Sequence, residues 1–186
     1  QELKEKFRAY TDRYLALIES YGKSPMVWGA LSHADGTTPV RQKGVTMGLW
    51  SNDMADPVEM KRQGWKMISM TDWQTYIVPI ADYYHDYLPL DNLYNTWTPR
   101  VFRNVTLEEN DPCIVGGMFA LWNDIYGNGI TVADMHDRIF PVLQVIADKT
   151  WTAALTTLPF DLFEQKKDLL SEAPGVNEMG RTKAPM

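Results

Sequence analysis

The sequence has 186 residues, 45% apolar and 12% aromatic, with a formal net charge of -6. By length that is one domain, or part of a larger one, with enough apolar residues for a packed core. Acids and bases are interleaved, which argues against a nucleic-acid surface, and no apolar run of about 18 residues or more occurs, so no membrane-spanning helix is expected. The charged start, Gln1 to Lys6, lacks the pattern of a signal peptide, so none is expected within these residues.

Glu2 to Tyr21 carries Phe7, Tyr10, Tyr14, Leu17, Ile18 and Tyr21 at spacings of three and four, which predicts an amphipathic helix. Gly22 suits its C-cap, and Ser24-Pro25 cannot continue it. Met26 to Trp28 reads as a short buried strand, and the polar, Gly-, Thr- and Pro-containing run Gly29 to Gly44 as a long loop. Val45 to Trp50 is a second strand. Asp56-Pro57 caps a short helix, Val58 to Gln63, which Gly64 ends. Trp65 to Met70 is a third strand. Thr71 to Trp97 is a long aromatic connection with one or two helical turns over Asp91 to Trp97, and Pro99 to Cys113 is mixed and polar. Ile114 to Leu121 is a fourth strand, expected to be fully buried because it is an apolar run bounded by glycines. After the loop Tyr126 to Gly129, Val132 to Ala154 is a long helix that Pro141 kinks or restarts. Leu162 to Leu170 is a further helix and Ala173 to Met186 a loose tail.

No β-hairpin signal is convincing. Alternating buried strands and helices mean an α/β fold with a parallel sheet. Four such units are half of an eight-stranded barrel, which needs about 250 residues when complete. The expected architecture is therefore the C-terminal half, about strands 5–8, of a (β/α)8 TIM barrel, with residues 1–158 as the half barrel and 159–186 as terminal helix and tail. A small open α/β sheet is the alternative. No glycine-rich phosphate loop follows any strand, which removes most of the reason to choose a nucleotide-binding fold.

Seven tryptophans and nine tyrosines are many for this length. They serve either a core or a cleft in which indole and phenol faces stack on the C–H faces of sugar rings. Trp28, Trp50 and Trp122 each end a predicted strand. In a parallel barrel all strand ends share one face, so three indoles there would wall a pocket; otherwise each packs under a neighbouring helix. Asp124 lies two residues past Trp122 and is aimed to the same side by period-two alternation, or else begins the following loop. Tyr76 follows the third strand, where its phenol would hydrogen-bond a substrate carbonyl or amide, or join a crowded aromatic loop. Trp97 either stacks on a second sugar or pins its loop. Asp53, Asp56, Asp72, Asp82 and Asp86 are loop acids with no adjacent pair on a strand end. His33, His85 and His136 lack ligand spacing and Cys113 is the only cysteine, so neither a metal nor another cofactor is expected.

The strand-end tryptophans, Tyr76 and the run Gly116-Gly117-Met118-Phe119-Ala120-Leu121-Trp122-Asn123-Asp124 resemble glycoside hydrolase family 20, the family of β-N-acetylhexosaminidases and lacto-N-biosidases. Further matches are Ser20-Tyr21-Gly22-Lys23 leading into Met26-Val27-Trp28, the run Leu93 to Pro99, and Arg138, Pro141, Ala147 and Trp151 in the closing helix. The resemblance runs from about Tyr10 to Trp151. It implies a retaining enzyme that removes a terminal N-acetylhexosamine from glycans, using the substrate's own acetamido oxygen as nucleophile. It also implies that Trp28, Trp50 and Trp122 wall the acetamido pocket, that Tyr76 holds the acetamido oxygen, that Asp124 binds sugar hydroxyls and that Trp97 stacks near the leaving group. The full-length protein would work outside the cell, at its surface or in the periplasm.

Two departures stand out. The family's catalytic Asp-Glu pair ends its fourth strand, and this chain has no Asp-Glu dipeptide. The family's Tyr-x-Asp is here Tyr76-Ile77-Val78, and its Trp-x-Glu is Trp122-Asn123-Asp124, one methylene shorter. The chain alone is thus expected to be inactive, and its open strand edges and uncovered inner face to drive dimerisation or pairing with the missing half. A disaccharide-releasing specificity and a non-catalytic carbohydrate-binding domain are the alternatives.

Overall fold

The computed structural model describes residues 1–29, 36–152 and 158–170. Part of the loop expected over Gly29 to Gly44, His33, the last two residues of the helix expected to end at Ala154, and the expected tail lie outside the described residues. Contacts divide the chain into two compact units, one made of residues 1–72 and 99–118 and the other of 73–98 and 119–186.

The first unit opens with helix α1 (Glu2–Ser20). Its periodicity is the expected one, but the face it docks with is not. Leu15 is its buried residue, and the polar flank of Leu15 grips the segment 37–41: Glu5 accepts hydrogen bonds from the Thr37 and Thr38 amides at 2.9 and 2.8 Å. Arg41 is held by Asp12 and Glu19 at 3.0 and 2.6 Å. The stripe Leu3, Phe7, Tyr10, Tyr14, Leu17 and Tyr21 is exposed instead.

Strands β1 (Met26–Trp28), β2 (Thr46–Leu49), β3 (Lys66–Ser69) and β7 (Ile114–Gly117) form one parallel sheet in the order β1-β2-β3-β7. Between β2 and β3 lies α2 (Pro57–Gln63), ended where expected: the Asp56 carboxylate accepts from the Val58 amide at 3.0 Å, and Gly64 takes φ 88°. Val45, Met47, Leu49, Trp65, Met67 and Phe102 belong to one buried cluster, each aliphatic side chain contributing about 1.5–3 kcal/mol by leaving water. The segment expected to be merely polar contains a short antiparallel hairpin, β5 (Val101–Phe102) and β6 (Val105–Thr106). Its turn escaped detection because Arg103, not glycine, takes the positive φ of 56°. Asn52, in the loop after β2, donates to the Phe102 carbonyl at 2.9 Å and to Asn104 Oδ1 at 2.8 Å.

The expected fourth strand is two. β7 pairs with β3, and β8 (Ala120–Leu121) pairs with β4 (Tyr76–Ile77) in the second unit. Val115 is an extra residue in β7, since Met67 and Ile68 face Ile114 and Gly116. This stretch is half-buried rather than fully buried, with Val115 exposed. The reason is its place, for β7 is an edge strand of the four-stranded sheet.

The second unit adds α3 (Asp72–Thr75), which starts at the boundary, α4 (Leu90–Thr96), α5 (Val132–Thr152) and α6 (Phe160–Lys167). Thr131 and Asp134 cap α5 reciprocally: the Thr131 amide donates to Asp134 Oδ2 at 2.8 Å and the Asp134 amide to Thr131 Oγ1 at 3.2 Å. Pro141 sits inside α5 without ending it. Both α5 and α6 pack on α4.

Candidate active-site residues

In the first unit Trp28 ends β1 and Trp50 directly follows β2, as the strand-end reading requires. The Trp50 indole lies over Gly29, where a Cβ would stand 2.9 Å from Cδ1 and 3.0 Å from Nε1. Only glycine leaves the ring its place. The Gly29 amide donates to the Gly48 carbonyl at 2.9 Å, and the Trp50 carbonyl accepts from the Asp72 amide at 2.7 Å, so both strand ends are tied down.

In the second unit Tyr76 opens β4 and Trp122 follows β8, with the Trp122 amide donating to the Ile77 carbonyl at 2.9 Å. This pairing brings the Tyr76 and Trp122 rings edge to face, centroids 5.7 Å apart. Tyr76 is buried, whereas 39% of Trp122 reaches solvent. The aromatic contacts continue from Tyr76 to Tyr84 at 5.8 Å and from Tyr84 to Tyr83 at 5.5 Å. Tyr83 then donates its phenol proton to Asp124 Oδ2 at 3.1 Å. Tyr76, Trp122 and Asp124, singled out separately in the sequence, thus belong to one connected group.

Of the two readings of Trp97, its placement fits the one in which it pins its loop. It follows α4 with its amide bonded to the Leu93 carbonyl at 3.0 Å, and its side chain is fully buried. As placed it offers no face to a sugar and pins its loop instead.

Tyr83 and Tyr84 were missed by sequence reasoning. Nothing local marks them among the tyrosines of the connection; the partner of Tyr83 lies 41 residues away. Burial, reinforced by the Asp124 carboxylate, pushes the Tyr83 phenol up from its ordinary value.

Several loop acids have structural partners. Asp56 caps α2, Asp86 pairs with Arg138 at 3.0 Å, and Asp53 lies 3.8 Å from Arg103. Cys113 is buried, and its thiol is pushed up to about 11 by burial and by Asp111. Among the described residues no three His, Cys, Asp or Glu side chains gather as a metal site.

The sequence matches the family model described as glycosyl hydrolase family 20, catalytic domain, over residues 1–154. Among solved structures the chain is similar to Dispersin B, at 16% identity, covering 79% of this chain and 48% of that one with a TM-score of 0.59. It is similar to a catalytic module of the pneumococcal exo-β-D-N-acetylglucosaminidase StrH, at 20% identity, covering 80% and 37% with a TM-score of 0.63. The β-N-acetylhexosaminidase of Bacteroides fragilis matches at 20% identity, covering 88% and 33% with a TM-score of 0.64. The chain thus spans between a third and a half of these solved chains. No curated protein sequence matches it. By its match over residues 1–154, the chain belongs to glycosyl hydrolase family 20, and its parallel α/β fold is part of that family's (β/α)8 barrel.

Proposed function

We propose that this chain is the substrate-holding half of a retaining family 20 enzyme that cleaves β-linked N-acetylhexosamine, alone or as part of a disaccharide, from glycans. The observation that carries the reading is the edge-to-face contact of Tyr76 and Trp122, at 5.7 Å, within a chain of this family. It sets a phenol ring against an indole, two groups that suit an acetamido group: an apolar surface for the methyl and a donor for the carbonyl oxygen. Held by Tyr76, that oxygen attacks the anomeric carbon as the glycosidic oxygen leaves, forming a cyclic oxazolinium that water then opens. Trp122 walls the acetamido group, and Asp124 accepts from sugar hydroxyls; in the first unit the family pattern assigns Trp28 and Trp50 to substrate contact. Trp97 is assigned to packing.

Protonation of the leaving group needs an acid of raised pKa. The sequence contains no Asp-Glu dipeptide, so we assign that step to a part of the barrel outside these 186 residues. The purified chain is expected to release no chromophore from an aryl β-N-acetylglucosaminide. The full-length polypeptide that carries it should do so, and Trp122→Ala there should lower kcat/KM at least tenfold. Turnover by the chain alone, or a Trp122→Ala enzyme as active as its parent, would sink the reading.

We further infer that a neighbouring strand and helix of the barrel cover α1 and β1 in the working protein. β1 is an edge strand, and α1 with its C-cap Tyr21, beside it in sequence, exposes six apolar side chains spaced 4-3-4-3-4. Without that cover the chain should self-associate. Sedimentation should show concentration-dependent association that Phe7→Lys with Tyr14→Lys abolishes; a monomer at every concentration counts against it.

A further inference from the structure

We propose that Tyr83 is a specificity-determining residue of the same site, forming with Asp124 a two-acceptor fork that reads a pair of neighbouring sugar hydroxyls. The inference rests on the functional reading above and adds to it a residue and a selectivity.

The geometry comes first. The Tyr83 Oη donates to Asp124 Oδ2 at 3.1 Å, and both side chains reach solvent. A phenol has one proton, and here it is spent on the carboxylate. The lone pairs left on Tyr83 Oη, together with Asp124 Oδ1, can only accept. Two adjacent acceptors fit two adjacent donors, and a pyranose diol presents two O–H donors at that spacing. A side chain as short as Asp124 gains reach this way, because the phenol oxygen extends the acceptor surface beyond the carboxylate.

The loop that carries Tyr83 is built to hold it there. Ile80 takes a positive φ of 65°, unusual for a β-branched residue. Its amide donates to Asp86 Oδ1 at 3.2 Å, and Asp86 is gripped by the Arg138 guanidinium through Nε at 3.1 Å and Nη2 at 3.0 Å. The Val78 amide donates to the His85 carbonyl at 2.9 Å, closing the loop at its base. Strain with this much support recurs where a side chain must be kept in one place. From the other side Tyr83 leans edge to face on Tyr84, which touches Tyr76. The fork is thereby linked to the phenol assigned to the acetamido oxygen.

A site that hydrogen-bonds a hydroxyl discriminates strongly against the analogue that lacks it. The test is Tyr83→Phe in the full-length enzyme that carries this chain, measured with N-acetylglucosamine and its 4-deoxy analogue as competitive inhibitors. Removing one hydroxyl contact should raise the Ki of N-acetylglucosamine roughly five- to twentyfold and should shrink the preference for the natural sugar over the 4-deoxy analogue. Asp124→Asn should abolish that preference, and the double variant should be no worse than Asp124→Asn alone. A ligand-free arm uses tyrosine labelled with carbon-13 at the phenolic carbon: the raised ionisation of Tyr83 should relax toward the ordinary phenol value in Asp124→Asn. Unchanged Ki and selectivity in an active Tyr83→Phe enzyme, additive losses in the double variant, or a Tyr83 titration indifferent to Asp124 would each overturn the proposal. Failure of the underlying reading looks different, as a parent enzyme that neither cleaves nor binds the sugar, and it overturns this inference as well.

Discussion

Asp86→Ala should destabilise the protein by about 3 kcal/mol, as expected when a buried ion pair loses one partner. For a chain of this size that is a fall in Tm of roughly 6–12 °C. The reason lies in the asymmetry of the pair. Arg138 is 6% exposed and Asp86 44% exposed. Removing Asp86 leaves the interior guanidinium with the Asp134 carbonyl at 2.8 Å and the Tyr87 ring at 4.3 Å, neither fully charged, and with only the longer-range attraction of the Asp134 carboxylate, which is itself hydrogen-bonded to Thr131. It also removes the acceptor that holds the Ile80 amide, so the positive-φ residue loses its support. Arg138→Met makes the comparison decisive. It takes away the buried charge itself and leaves a carboxylate that water can reach, so it should cost less than Asp86→Ala. Thermal melts of the two variants and the double variant check this; an Arg138→Met chain that melts below Asp86→Ala refutes it.

What could be read in the sequence was what depends on neighbours along the chain. The helix from Pro57 to Gln63 announces itself through Asp56, Pro57 and Gly64, and its cap and end are the ones expected. β1 has the expected bounds, Met26 to Trp28, but as an edge strand it leaves Met26 and Trp28 exposed rather than buried, and α5 runs unbroken from Val132 to Thr152 despite Pro141. What escaped was set by partners far along the chain. The spacing along α1 shows a helix but not which stripe docks. That choice was made by Glu5, Asp12 and Glu19 finding Thr37, Thr38 and Arg41. β4 is two residues long and exists because β8 pairs with it. The fourth strand looked continuous because its residues are apolar throughout, yet its two halves pair with different strands.

The candidate site divides in the same way. Trp28, Trp50 and Trp122 were nominated because each stands at a strand end, a position that local pattern reveals. Tyr76 and Asp124 were found by resemblance and by alternation. Tyr83 was not nominated, since what marks it is its hydrogen bond to Asp124 across 41 residues. Trp97 shows the converse: its residue type suited a sugar platform, and only burial shows that the indole is enclosed. Residue type and strand position thus nominate candidates; enclosure assigns Trp97 to packing, while Tyr76, also buried, stays a candidate through its contact with Trp122.

Lys149→Met should stabilise the protein by about 1–2 kcal/mol, because an ill-compensated buried charge is replaced by an apolar side chain of similar volume. Lys149 lies on α5 and is fully buried. Its Nζ stands 3.6 Å from the centroid of the Tyr94 ring and 4.0 Å from Asp148 Oδ2, and among the described residues it makes no hydrogen bond. A desolvated cation over a ring gains about 2 kcal/mol, less than the several kcal/mol that removal from water costs. Burial accordingly pulls the ammonium below the ordinary lysine value, with Asp148 opposing. The sign follows from linkage. Between the folded value and the unfolded value of about 10.4 the unfolded chain binds more protons, so stability rises with pH across that window, while below it the full penalty applies. Methionine keeps a sulfur against the Tyr94 ring and has nothing to titrate. Its advantage should therefore be largest at neutral pH and shrink as pH approaches 10. Chemical denaturation at pH 7 and pH 10 measures both. A Lys149→Met chain less stable than its parent at pH 7, or one whose advantage does not change with pH, would show that the ammonium is compensated by more than Tyr94 and Asp148.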